Sequence, residues 1–266
     1  MLPRLRRTFF SEKGRAIWLA AVLLILSPVA LSAEPKSSNP TNSNIVCREE
    51  LSGARREQLV NKLRKISGLD DLRFDEHGFL RTAGTFSGRS SANARALLDT
   101  AIHGGNVVVI EDASNQANVA FAQVVPGKWK TNARNSAPVF VIRIDFADFE
   151  HLVGDNQARD AFNVGWVFLH ELDHVVSDSA DATLPGETGE CEAHINQMRR
   201  ECDLPARANY FSELSPLGNG NTFMTRLVRI AFEAQEPTTK KRKLYWLTWD
   251  ANAVGGVEQN QLASMR

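Results

Sequence analysis

The chain of 266 residues holds only three cysteines, two tyrosines, four methionines and six histidines. Three thiols cannot build the dense disulfide framework of a small secreted scaffold. An excess of either charge is missing too, since Lys+Arg and Asp+Glu each number 31. That balance argues against a nucleic-acid partner. Long apolar runs are equally scarce. Ile17–Leu26 is the longest, short for a membrane span, and no other segment could cross a bilayer.

What the chain does have begins with an uneven end. Arg4, Arg6, Arg7, Lys13 and Arg15 stand against Glu12 before the apolar run, and small residues follow as far as Ser32-Ala33. This order is that of an export signal, residues 1–33, cut before Glu34. Membrane contact is then expected only through that signal if it stays uncleaved. Arg6-Arg7-Thr8-Phe9-Phe10 also resembles a twin-arginine signal. Without residues 1–33, five basic residues and one acidic residue fewer, the 31 and 31 become 26 and 30, a net charge of −4. Residues 34–45 are polar and rich in Pro, Ser and Asn, which predicts a flexible leader before a domain at 46–266. The expected location is periplasmic or extracellular.

Periodicity predicts helices over 48–66 and 91–102, and strands over 107–110, 119–125 and 139–146. A long helix is expected at 156–177 and a second at 189–203. Two strands, 222–232 and 244–249, should form a C-terminal hairpin joined by 235–242. The class is α+β, one domain, with a mixed or antiparallel sheet packed on the 156–177 helix.

That helix carries the chemistry. His170-Glu171-Leu172-Asp173-His174 is a His-Glu-x-x-His motif. On a helix the two imidazoles lie one turn apart on one face and can grip one metal ion. Glu171 sits beside them as a general base for water activated by the metal. The residues before the motif are nearly all apolar, so the helix is buried, and polar groups inside it need partners. A catalytic zinc takes three protein ligands. The following helix offers Glu187, Glu190, Glu192 and His194, and periodicity alone does not choose among them.

The pattern resembles the gluzincin branch of the zinc metallopeptidases, in which the third ligand is a Glu on a later helix. His-Glu-Leu-Asp-His-Val-Val-Ser-Asp at 170–178 is similar to the thermolysin-like form. Glu192 with Asn196 matches that group's ligand spacing, with Asn in place of Asp. The run from Asn196-x-x-Arg199 to Leu204-Pro205-x-Arg207-x-x-Tyr210 resembles small bacterial effector-type zinc metallopeptidases. The resemblance covers about 40 residues, 170–210. It implies Zn2+ held by His170, His174 and Glu192, with Asp178 and Asn196 behind them. Tyr210 is a candidate oxyanion donor, with His194, Arg199 and Arg207 as rivals.

The expected function is an exported zinc metallopeptidase that cleaves a peptide or protein substrate with Glu171 as general base. The competing expectation is a non-catalytic, zinc-stabilised extracytoplasmic binding domain. A metal-free protein with an accidental motif is the third.

Overall fold

The computed structural model describes residues 43–128, 137–215, 227–236 and 238–255, all within one compact unit. The expected signal and nearly all of the expected leader lie outside the described residues. The leader assignment runs slightly long: Ile45, its last residue, is already buried in the first strand.

In chain order the elements are β1 (Ile45–Cys47), α1 (Gly53–Ser67), β2 (Arg73–Phe74), β3 (Leu80–Arg81), α2 (Ala92–His103), β4 (Val107–Asp112), β5 (Ala122–Pro126) and β6 (Val139–Ile144). A 3-10 turn at Asp148–His151 leads to β7 (Val153–Gly154), α3 (Asn156–Ala161), α4 (Val164–Ser177) and α5 (Glu190–Glu201). The chain closes with β8 (Ala206–Arg207), β9 (Glu213–Leu214), β10 (Leu227–Gln235) and β11 (Arg242–Asp250). The class is α+β, as expected. No helix among the described residues is long and apolar enough to cross a membrane.

Two apolar cores flank α4. The first lies under the mixed sheet β1-β4-β6-β5, in which only β5 runs antiparallel to its neighbour. β-branched runs in β4 and β6 fill its face, and α1, α2, α4 and α5 cover it. The second core is aromatic and lies on the long hairpin β10–β11, the expected C-terminal hairpin. Phe121 is its hub, 5.0 Å from Phe162 and 5.3 Å from both Phe149 and Trp249 between ring centroids. Trp166, Phe168, Leu169 and Leu172 of α4 serve the first core and Val167 the second. Burial on both sides explains the nearly unbroken apolar run that precedes the motif.

The helix expected over 156–177 is two helices. Phe162 and Asn163 are extended, with φ of −140° and −148°. The Asn163 side chain accepts the Gly165 N–H at 3.1 Å and so caps α4. A side-chain oxygen that competes for backbone donors favours a fresh helix start over an unbroken helix.

Phe121 adopts φ +61°, a costly conformation for a bulky residue. Asp148 helps to hold it there, accepting the Phe121 N–H at 2.8 Å. Burial, reinforced by Asp145, raises the Asp148 pKa to about 6. The folded state therefore holds this proton more tightly than the unfolded chain. Stability from this group is greatest below about pH 4 and falls as pH rises towards 6, by on the order of 2–3 kcal/mol. Urea unfolding at stepped pH should show that decline, and Asp148→Asn should flatten it. An unchanged profile in the variant would assign the decline to other groups.

Candidate functional site

The α4 helix presents His170, Glu171 and His174 where the two cores meet. The imidazole rings stand edge to face with centroids 4.9 Å apart. His170 and Glu171 are buried. His174 Nδ1 lies 2.8 Å from the Ser179 carbonyl. A carbonyl only accepts, so Nδ1 carries a hydrogen, and in the neutral ring Nε2 is the nitrogen left to ligate. Glu192 Oε2 plays the same part for His170, 3.3 Å from its Nδ1. Both Nε2 atoms then converge on one oxygen, Asp181 Oδ1, at 3.0 Å for His170 and 3.4 Å for His174. Ligands of a tetrahedral zinc with bonds of about 2.0–2.1 Å stand about 3.3 Å apart. Each nitrogen thus stands at about ligand spacing from that oxygen, and the ligand atoms of the two histidines lie within 4.8 Å of one another.

Asp181 comes from a loop, and its delivery has identifiable causes. α4 ends at Asp178, whose left-handed φ of 52° turns the chain back. The Ala180 carbonyl accepts the N–H groups of Glu190 and Cys191, at 3.0 and 3.1 Å, which ties the loop to the start of α5. An isolated bridge pairs Asp181 with Gly189. Gly189 has φ +75°, and a Cβ there would meet Ala182 N at 2.3 Å, so only glycine fits. Asp173 braces the same turn, accepting from Ser177 and Ser179 hydroxyls at 2.7 Å each and from His194 Nδ1 at 2.8 Å.

Glu192, expected as the third ligand, instead sits at the Nδ1 side of His170. It lies outside the group of His170, His174, Asp181 and Cys191 whose ligand atoms are mutually within 4.8 Å. Two guanidiniums draw it away. Arg199 pairs with one carboxylate oxygen, and Arg207 Nη1 lies 3.4 Å from the other. Burial resists the Glu192 charge, but Arg199 and Arg207 hold its pKa well below the usual carboxylate range. Arg199 is itself buried and has Trp166 and Phe232 rings about it, at 5.5 and 5.4 Å. Asn196 supports both arginines. Its Oδ1 accepts from Arg199 Nη1 at 2.8 Å and from Arg207 N at 2.7 Å, and its Nδ2 donates to the Arg207 carbonyl at 3.0 Å. It therefore stands behind Glu192, through the arginines rather than by direct contact.

No protein family, curated protein or solved structure matches this chain. The site is therefore read from its own geometry. Asp178, expected to orient a histidine, is exposed, and the Ser179 carbonyl holds that position at His174 instead. Glu190 is exposed, and His194 is bonded to Asp173 rather than directed at the histidine pair. Tyr210 is at the site. Its ring stacks on His170 at 6.0 Å and 19°, and its hydroxyl lies near the Asp181 carboxylate. Burial, with the Asp181 charge beside it, raises its pKa well above the ordinary phenol value.

The carboxylates around the pair stabilise positive charge on both rings. Hydrogen bonds to Asp181 and Cys191 raise the His174 pKa to about 11 against the effect of burial. Burial also opposes charge on His170, yet Asp181, Cys191 and Glu192 hold its pKa well above the ordinary value. Burial raises the Glu171 pKa, while His170, His174 and the Val124 N–H moderate the rise. Glu171 and His170 open onto a cavity of about 320 Å³ that also has Phe121, Trp166, Val167 and Ile230 in its lining.

Sequence reasoning missed Asp181 and Ser179. The available signal was a carboxylate seven residues past His174 in a loop with glycine at 186 and 189. A search confined to the next helix passes over it.

Proposed function

We propose that this chain is a zinc-dependent hydrolase, most simply a metallopeptidase, with His170, His174 and Asp181 as ligands and Glu171 as general base. The observation that carries the reading is the convergence of the two Nε2 atoms on Asp181 Oδ1, beside a buried glutamate that opens onto a cavity. The reading keeps the zincin motif chemistry and moves Glu192 from ligand to orienting carboxylate. Carboxylates behind ligating histidines fix the tautomer and raise ligand basicity.

Zinc in such a site supplies Lewis acidity, bringing the pKa of water towards neutrality and polarising a carbonyl. Glu171, its own pKa raised, takes the proton from the attacking water and delivers it to the leaving amine. Tyr210, stacked on His170 with its hydroxyl near Asp181, is the phenol donor for the developing oxyanion. Arg207 is committed to Glu192 and to the carbonyls of Asn209 and Tyr210. β5 is the edge of its sheet and packs against α4, which carries Glu171. An extended peptide adding to that edge would run past the base, which favours a peptide substrate. The N-terminal segment extends the proposal to an exported protein.

The test is elemental analysis of the purified protein together with turnover of a complex peptide library, before and after chelation. The expected result is close to one zinc per chain and cleavage that chelation abolishes and zinc restores. Zinc without turnover would favour the non-catalytic alternative. Absence of stoichiometric metal would end the zinc reading.

A further inference from the structure

We propose that Cys191 is a fourth donor to the same metal, so that the complete protein set is two imidazoles, one carboxylate and one thiolate. The proposal rests on the metal reading of His170, His174 and Asp181. Cys191 lies in the first turn of α5, beside Glu192, and is completely buried. Its Sγ and one ligand atom from each of the other three residues all lie within 4.8 Å of one another. Core packing accounts for a small buried thiol, and for the Sγ–H donated to the His170 carbonyl at 3.3 Å. It does not account for convergence with two imidazoles from α4 and a carboxylate from a separate loop.

The fit is close. Zinc bonds of about 2.3 Å to sulfur and about 2.0 Å to nitrogen place S and N about 3.5 Å apart in a tetrahedron. The 4.8 Å ceiling leaves the thiol little more than about 1 Å to move. Charge points the same way. Two neutral imidazoles and one carboxylate leave a divalent ion with a residual positive charge, and a thiolate cancels it. A neutral cluster is the cheapest one to bury. The same loop carbonyl that anchors Asp181, that of Ala180, accepts the Cys191 N–H, so both donors are placed by one contact. A thiolate selects zinc over magnesium, calcium and manganese. In the hydrolase reading the activated water would be a fifth ligand, a coordination number that catalytic zinc can adopt.

Zinc X-ray absorption on the full chain carrying Cys47→Ser and Cys202→Ser tests the proposal, because Cys191 is then the only thiol. The expected shell holds one sulfur at about 2.3 Å with nitrogen and oxygen at about 2.0–2.1 Å. In the cobalt-substituted protein a thiolate-to-metal charge-transfer band should appear in the near ultraviolet. Adding Cys191→Ser should remove both signals, since serine keeps the hydrogen bond to His170 and offers no thiolate. A fully loaded protein with only nitrogen and oxygen neighbours would overturn the proposal and leave the three-ligand reading standing. Failure to load zinc at all would overturn both.

Discussion

Asp181→Ala is expected to lower zinc affinity by more than about 100-fold, whereas Glu192→Gln should cost only about 10- to 100-fold, the range of a residue behind a ligand. The difference follows from which ring nitrogen each carboxylate meets. Asp181 shares the Nε2 side of both histidines, and Glu192 meets His170 at Nδ1. Asp181 is also partly exposed on a loop anchored by its backbone, so alanine removes the donor without emptying a core. Gln is the fitting change at 192. Glu192→Ala would strand buried Arg199 and cost about 3–5 kcal/mol of stability, which would confuse the reading. Competition against a chelating dye measures both affinities. The opposite ranking would restore Glu192 as the third ligand.

Glu171→Gln is expected to cut peptide turnover by about 10²- to 10⁴-fold while zinc stays bound at full stoichiometry. Gln keeps the shape but cannot take a proton. It also removes a charge whose burial the fold resists, so thermal stability should hold or rise slightly. Single-turnover assays with metal analysis on the same sample decide the matter. Undiminished turnover in a zinc-loaded variant would remove Glu171 from the mechanism.

How much of this was legible in the chain differs by element. The β-branched runs of β4 and β6 and the periodic apolar set of α1 marked themselves, because local pattern and burial agree there. The break at Phe162–Asn163 was harder to see. The apolar pattern continues across it, and only the Asn163 cap stops the helix. Asp178 carried a motif-like spacing but ends α4 in a left-handed conformation with its side chain in solvent. Spacing says nothing of that turn.

By itself the sequence determined that two histidines and a glutamate share a buried helix, because residues four apart on a helix face the same way whatever surrounds them. It also determined that this helix needs partners for its polar groups. The tertiary structure alone decided which carboxylate meets Nε2. Glu192 is drawn off by Arg199 and Arg207, the latter 15 residues away. Asp181 is carried in by a loop tied back to the start of α5 through Ala180. Both outcomes depend on contacts between separate elements, and helical periodicity holds no information about those.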